Sequence, residues 1–290
     1  MIGEPNNITT ITSFSVAQFT LATQLMALGL LYILHLLPLD QFLFITSTQI
    51  LSLMITAFLM FGNTMLLTSL FSTSLFSFYL TGLLDFLVLC FASRTFYSSR
   101  LFGIMRRIVL FLGSFVLIKF IIINQLFSSP DDDAHIWDIL KSKLIPSYRT
   151  FDTQLYTCAK EFDFIDMEAV WKLCTTGLLP LVLIILIRFM FDFILDVFGR
   201  VDADRAPVCN HYHLIQTGVY TLMGILIMRL KLFPVPQYCL IISHFMNDAF
   251  WPKKFIERKK WKIFIFIFIV IAMGFQGRKN IQEQLKIKGL

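Results

Sequence analysis

The chain has 290 residues, of which 57% are hydrophobic and only 15% charged, with 32 Phe and a mean hydropathy of +0.72. Soluble globular domains carry about 45–50% apolar and about 25% charged residues, so a soluble domain, a disordered chain and a collagen-like fibre are excluded. The net charge of +6 sits in the gaps between apolar runs, where it orients a chain in a bilayer and does not imply nucleic acid.

Residues 1–13 are polar, lack the basic start of a signal peptide, and read as a luminal N-terminal segment with a membrane-proximal sequon at Asn7-Ile8-Thr9. A spanning helix needs about 20 mostly apolar residues. The first such run covers 14–37. The uncharged stretch between Asp40 and Asp85 is too long for one helix, and it divides at Gly62-Asn63 into spans over 41–61 and 66–91. Further spans are expected over 107–127, 173–195, 212–230 and 262–277. The short stretch 236–251, after Pro234 and Pro236, reads as a tilted span or a re-entrant element. Transmembrane β-strands alternate apolar and polar residues, and these runs do not. The expected class is all-α, a multi-pass bundle of about eight spans. Spans one to four occupy 14–127, a long luminal loop 128–171, spans five to eight 172–277, and a luminal tail begins over 278–290.

Two basic connections set the orientation. Arg94, Arg100, Arg106 and Arg107 lie in 92–107, and Lys253, Lys254, Arg258, Lys259, Lys260 and Lys262 in 252–262. Both are expected on the cytosolic side. That requires an even number of crossings between them, which holds if 236–251 crosses.

The 128–171 loop is the first candidate for chemistry, because long connections in compact proteins are functional or disordered and this one mixes aromatics, aliphatics and acids. Its segment 150–168 has helical apolar spacing through Phe151, Leu155, Cys158, Phe162 and Ile165. It reads as an amphipathic helix on the luminal surface or as a cover over a membrane-edge site. Asp131, Asp132 and Asp133 stand beside His135. They suit a divalent cation or a general base, or simply a helix cap.

Arg229 and Lys231 fall at the luminal end of the sixth span, where basic residues are disfavoured. A lipid phosphate there would compensate them, as would ordinary headgroups. Lys119 lies inside the fourth span, where an ionisable group is a functional candidate unless its stem snorkels outward. Asp85 is expected to pair with Arg94 or water, and Arg188 with Asp192 four residues on. His211 and His213 lack visible metal partners. The five cysteines, Cys90, Cys158, Cys174, Cys209 and Cys239, show no disulfide framework and no zinc spacing, so no metal centre is expected. These residues give a polytopic protein suited to an anionic lipid headgroup, and they do not give a reaction.

Several strings together carry a resemblance: VAQFTLATQ (16–24), MFGNTMLLTS (60–69), DDAHI (132–136), FDTQLYTCAKEFDF (151–164), GILIMRLKLF (224–233) and FQGRKNIQEQ (275–284). In order and spacing they resemble the protein C-mannosyltransferases, the dumpy-nineteen-like family. The resemblance implies part of a type C glycosyltransferase in the endoplasmic reticulum membrane, with the inner nuclear membrane as a further location for some members. It implies transfer of mannose from dolichyl-phosphate mannose to tryptophan C2 of secretory-pathway proteins, and no cofactor is named beyond that donor substrate. Arg229, Lys231 and Lys119 would hold the donor phosphate. Asp132, Asp133, His135, Tyr156, Glu161, Phe162 and Asp163 would help position donor or acceptor. Family chains are about twice as long, and the principal carboxylate is expected in an earlier luminal loop, so no catalytic base is named here. The alternative is an inactive family member serving as a membrane scaffold or anchor.

Overall fold

Apolar runs inside a bilayer must satisfy their own backbone hydrogen bonds, which a helix does residue by residue. The computed structural model describes residues 6–62, 66–67, 69–91, 100–121, 141–142, 163–198, 207–244 and 259–287, and every regular element among them is helical. Among the described residues, four helices are long and apolar enough to cross a membrane, over Leu39–Leu59, Leu70–Val88, Leu101–Ile121 and Leu178–Phe198. Shorter apolar helices cover Gln18–Ile33, Leu230–Ser243 and Phe266–Phe275. The protein is an all-α membrane bundle whose chain divides into two compact units, Met1–Arg149 and Thr150–Leu290.

The first unit contains α1 (Asn6–Ile33), α2 (Leu39–Leu59), α3 (Leu70–Phe91) and α4 (Arg100–Ile121). Helix α3 is its centre and packs against the other three. Of its apolar stretch 56% is buried, against 17% for α2 and 11% for α4, so α3 is the most enclosed of the three. The sequence of α3 explains its position. Ser72, Thr73, Ser74, Ser77 and Thr81 are all buried. Small side chains let helix backbones approach closely where lipid offers no hydrophobic driving force. Their hydroxyls donate to carbonyls one turn back, Thr73 to Ser69 at 3.0 Å, Ser77 to Thr73 at 2.6 Å and Thr81 to Ser77 at 2.7 Å. Thr81 also meets Ser114 of α4 at 2.9 Å. On the α1 side, a Cβ at Gly29 would lie 2.1 Å from the Phe78 ring, so only glycine admits that ring.

Two expectations change in this unit. The fourth span does not begin at 107, because α4 is helical from Arg100. Arg106 and Arg107 are therefore helical residues and not loop charges. Asp85 was expected to pair with Arg94, which lies outside the described residues, or with water; the structure gives it partners on α4. Its partners are Arg106 and Arg107, whose guanidiniums donate to Oδ1 and, at 2.9 Å, to Oδ2. The Tyr32 hydroxyl also donates to Asp85, at 2.5 Å. A carboxylate that deep needs fixed cations, and α4 supplies them once its helix starts early enough to carry both arginines to α3.

The second unit contains α5 (Met167–Thr175), α6 (Leu178–Phe198), α7 (Val208–Leu226), a 3-10 turn (Met228–Leu232), α8 (Pro234–Ser243) and α9 (Lys259–Ile287). Leu178, Val182, Ile185 and Phe189 recur at helical spacing along α6 and meet Leu214 of α7 and Tyr238 and Ile241 of α8 in a buried cluster. Phe266 and Met273 of α9, seven residues apart on one face, pack against it. The amphipathic helix expected over 150–168 ends differently. Residues 164–166 are non-helical, and α5 begins at Met167 behind the cap residue Asp166; residues 150–162 lie outside the described residues. The span expected over 173–195 starts at Leu178, after the separate short helix α5. The Arg188–Asp192 pair is present, with Nε 3.4 Å from Oδ2.

The span expected over 212–230 is interrupted. Helix α7 stops at Leu226, Ile227 is extended with φ −135° and ψ 109°, and a 3-10 turn follows. Pro234 and Pro236 start α8 instead of prolonging α7. Helix α8 has 10 residues, about 15 Å at 1.5 Å each, half the roughly 30 Å hydrocarbon thickness. It folds back on α7. A Cβ at Gly224 would lie 2.9 Å from the Pro234 ring, and the Thr221 and Tyr238 hydroxyls meet at 2.9 Å.

Candidate functional site

Breaking a helix at membrane depth frees backbone groups that must find partners. At the end of α7 those partners come from the last residues of the long loop. Met228 N donates to the Asp163 carbonyl at 2.9 Å, and Ile165 N donates to the Ile225 carbonyl at 3.1 Å. The extended segment 163–165 thus lies beside the α7 terminus as a short two-bond ladder. The exposed Asp163 side chain is turned locally, its Oδ1 accepting from Phe164 N at 2.8 Å.

This junction brings together residues that the sequence reading took from two places. Asp163 belongs to the loop, and Arg229 and Lys231 lie on the 3-10 turn, with Lys231 exposed. The turn stands between the C-terminus of α7 and the N-terminus of α8. The first end carries partial negative charge, which basic residues offset, and the second carries partial positive charge, which favours an anion. Lys119 is elsewhere in the chain, exposed in the last turn of α4, in the first unit. Asp132, Asp133, His135, Tyr156, Glu161 and Phe162 lie outside the described residues.

Two polar clusters were not legible in the sequence. In the first unit Arg107 donates through NH1 to the Tyr32 carbonyl and lies over the Tyr32 ring, 4.1 Å from its centroid. Phe42 stacks on the same ring at 4.1 Å. With Asp85 this ties α1, α3 and α4 at one point, a structural lock and not an open site. In the second unit Asp196, fully buried on α6, pairs with His211 Nε2 of α7 at 2.8 Å. The sequence signal was an acid at the end of the buried α6 face, four residues after Asp192.

His213 also has partners that the sequence reading did not provide. Its Nδ1 meets the Gln237 amide at 3.1 Å, and its ring meets the His244 ring edge-on at 5.2 Å between centroids. Donor atoms of Cys209, His213 and His244 lie within 4.8 Å of one another, a set able to hold a metal ion among the described residues. The available signal was Cys209 and His213 four apart, on one face of a helix.

Comparison with known proteins adds to this geometry. The family model described as "Dpy19: Q-cell neuroblast polarisation" matches residues 6–289. The chain is 34% identical over 288 residues to Protein C-mannosyl-transferase DPY19L1 of Homo sapiens, covering 94% of this chain and 40% of that protein. It is 31% identical over 290 residues to C-mannosyltransferase dpy-19 of Caenorhabditis elegans, covering 94% of this chain and 39% of that protein. It is 35% identical over 282 residues to Protein C-mannosyl-transferase DPY19L1 of Rattus norvegicus, covering 94% and 36%. The chain therefore spans about two fifths of the length of these relatives.

Proposed function

The chain belongs to the Dpy19 family, and from that premise we propose that it works in protein C-mannosylation, transferring mannose from dolichyl-phosphate mannose to tryptophan C2 of secretory-pathway proteins at the endoplasmic reticulum membrane. The observation that carries this reading is the match over 94% of the chain to proteins named C-mannosyltransferases. In the reaction indole C2 attacks the anomeric carbon. A carbon–carbon bond forms as the bond from that carbon to the phosphate oxygen breaks. The C2 proton passes to a carboxylate, and dolichyl phosphate departs.

Carbon C2 is a weak nucleophile, so such a reaction depends on orientation, a proton acceptor and charge stabilisation on the leaving phosphate. Arg229 and Lys231, on a 3-10 turn beside a helix N-terminus, suit the phosphate. Lys119 is a further candidate for that charge. The loop 128–171, tied at Asp163 and Ile165 to the end of α7, suits a cover that positions donor or acceptor through Asp132, Asp133, His135, Tyr156, Glu161, Phe162 and Asp163. The catalytic base is not assigned to a residue of this chain.

The test is donor binding in membranes carrying the protein with Arg229→Gln. A charge-assisted hydrogen bond contributes about 1.5–3 kcal/mol, so affinity for dolichyl-phosphate mannose should fall by roughly one to two orders of magnitude. Unchanged affinity would remove Arg229 from the phosphate role.

A further inference from the structure

We propose that Cys209, His213 and His244 form a binding site for a zinc-class metal ion that clips the end of α8 onto the first turns of α7. The site is apart from the Arg229–Lys231 turn, which follows the opposite end of α7, and it does not depend on the transferase reading.

The backbone places the three donors. Cys209 is the second residue of α7 and His213 stands one turn later on the same face. Helix α8 folds back along α7, and His244 caps its C-terminus. The hairpin made by the 3-10 turn therefore returns His244 to where α7 begins. A single continuous span would have carried it away.

The donor chemistry is selective. One thiolate and two imidazoles suit a borderline-soft d10 ion and not magnesium or calcium, which prefer oxygen. Zinc–nitrogen bonds of about 2.0–2.1 Å and zinc–sulfur bonds of about 2.3 Å set tetrahedral donor separations near 3.5 Å. The donors already lie within 4.8 Å of one another, so side-chain rotation of about an ångström closes the site. Three protein ligands leave a fourth position for water. Cys209 is exposed, while His213 and His244 are half-buried, which gives the ion an entry path and a packed floor.

A supporting partner is also present. Metal-bound histidines usually commit their other ring nitrogen to a hydrogen bond that fixes tautomer and orientation. Gln237, 7% exposed and seven residues before His244 on α8, meets His213 Nδ1 at 3.1 Å. The structure places the amide nitrogen there, donating to Nδ1; metal binding through Nε2 turns the amide over, so that its oxygen accepts from Nδ1–H and the Nε2 lone pair is free for the ion. Without a metal, two imidazoles in edge-on contact and a thiol gain little from converging.

The experiment uses the untagged protein in detergent, with zinc alone and then cobalt(II) as the probe. The expected result is one tightly held zinc per chain, and a thiolate-to-cobalt charge-transfer band that Cys209→Ser abolishes. Cys239→Ser, on α8 but outside the set, should change neither. Gln237→Ala should weaken zinc binding about 10–100-fold, an effect that loss of a packing contact would not produce. Absence of the band in the unaltered protein at saturating cobalt overturns the proposal, whatever the variants' folding. Zinc affinity unchanged in Cys209→Ser overturns it equally.

Discussion

Asp85 in the first unit and Asp196 in the second are both fully buried, yet their partners differ in kind. Asp85 faces two guanidiniums and a tyrosine hydroxyl, cations that stay charged at any ordinary pH. Asp196 faces the imidazole of His211. The surroundings differ to match. The first unit packs through a stripe of small hydroxyl residues on α3, and the charged lock joins three helices at one point. The second packs through an apolar face of α6 against α7 and α8, and its acids stand where that face ends. A buried carboxylate can thus be tied to two fixed cations or to an imidazole, depending on which side chain the neighbouring helix carries.

The largest effect should come from Asp85→Leu, which takes the carboxylate from buried Arg107 and half-buried Arg106. Removing one partner of a buried pair costs about 3–5 kcal/mol, and the loss should appear as a large fall in thermal midpoint in detergent. Asp196→Asn tests the other side. It keeps the shape and a hydrogen bond to His211, so the expected loss is about 0.5–1.5 kcal/mol. If both substitutions destabilise equally, the distinction between a two-guanidinium tie and an imidazole tie fails. Thr81→Val should have the smallest effect. It removes the hydroxyl contact between α3 and α4 while keeping the volume, and interhelical hydrogen bonds in membranes average about 0.6 kcal/mol. A loss comparable with that of Asp85→Leu would mean that hydroxyl pairing, and not the charged lock, holds the first unit together.

The residues most easily misread were the arginines. Arg106 and Arg107 look like loop charges because they precede an apolar run, and a window of hydropathy starts a span after them. Their pairing follows from a long-range partner, Asp85, which local pattern does not reveal. The broken α7 has a weaker signal of the same sort. Two prolines predicted a boundary before α8, but the stop at Leu226 rests on partners supplied by residues 163–165 from far along the chain. Arg229, Lys231 and Asp163 were legible as unusual residues. Their shared location beside one turn was not.

Composition and run length alone determined that this chain is an all-α membrane protein, because a bilayer admits long apolar segments only as structures that satisfy their own backbone. The family was equally legible, since strings distributed along the chain carry it. What tertiary structure decided was which charges are paired and which donors converge. Asp85 meets arginines from α4, Asp196 meets a histidine from α7, and His244 returns to Cys209 and His213 across a hairpin. Each of these contacts joins residues that are distant in sequence, and their energies depend on the low-dielectric interior that only the packed helices create.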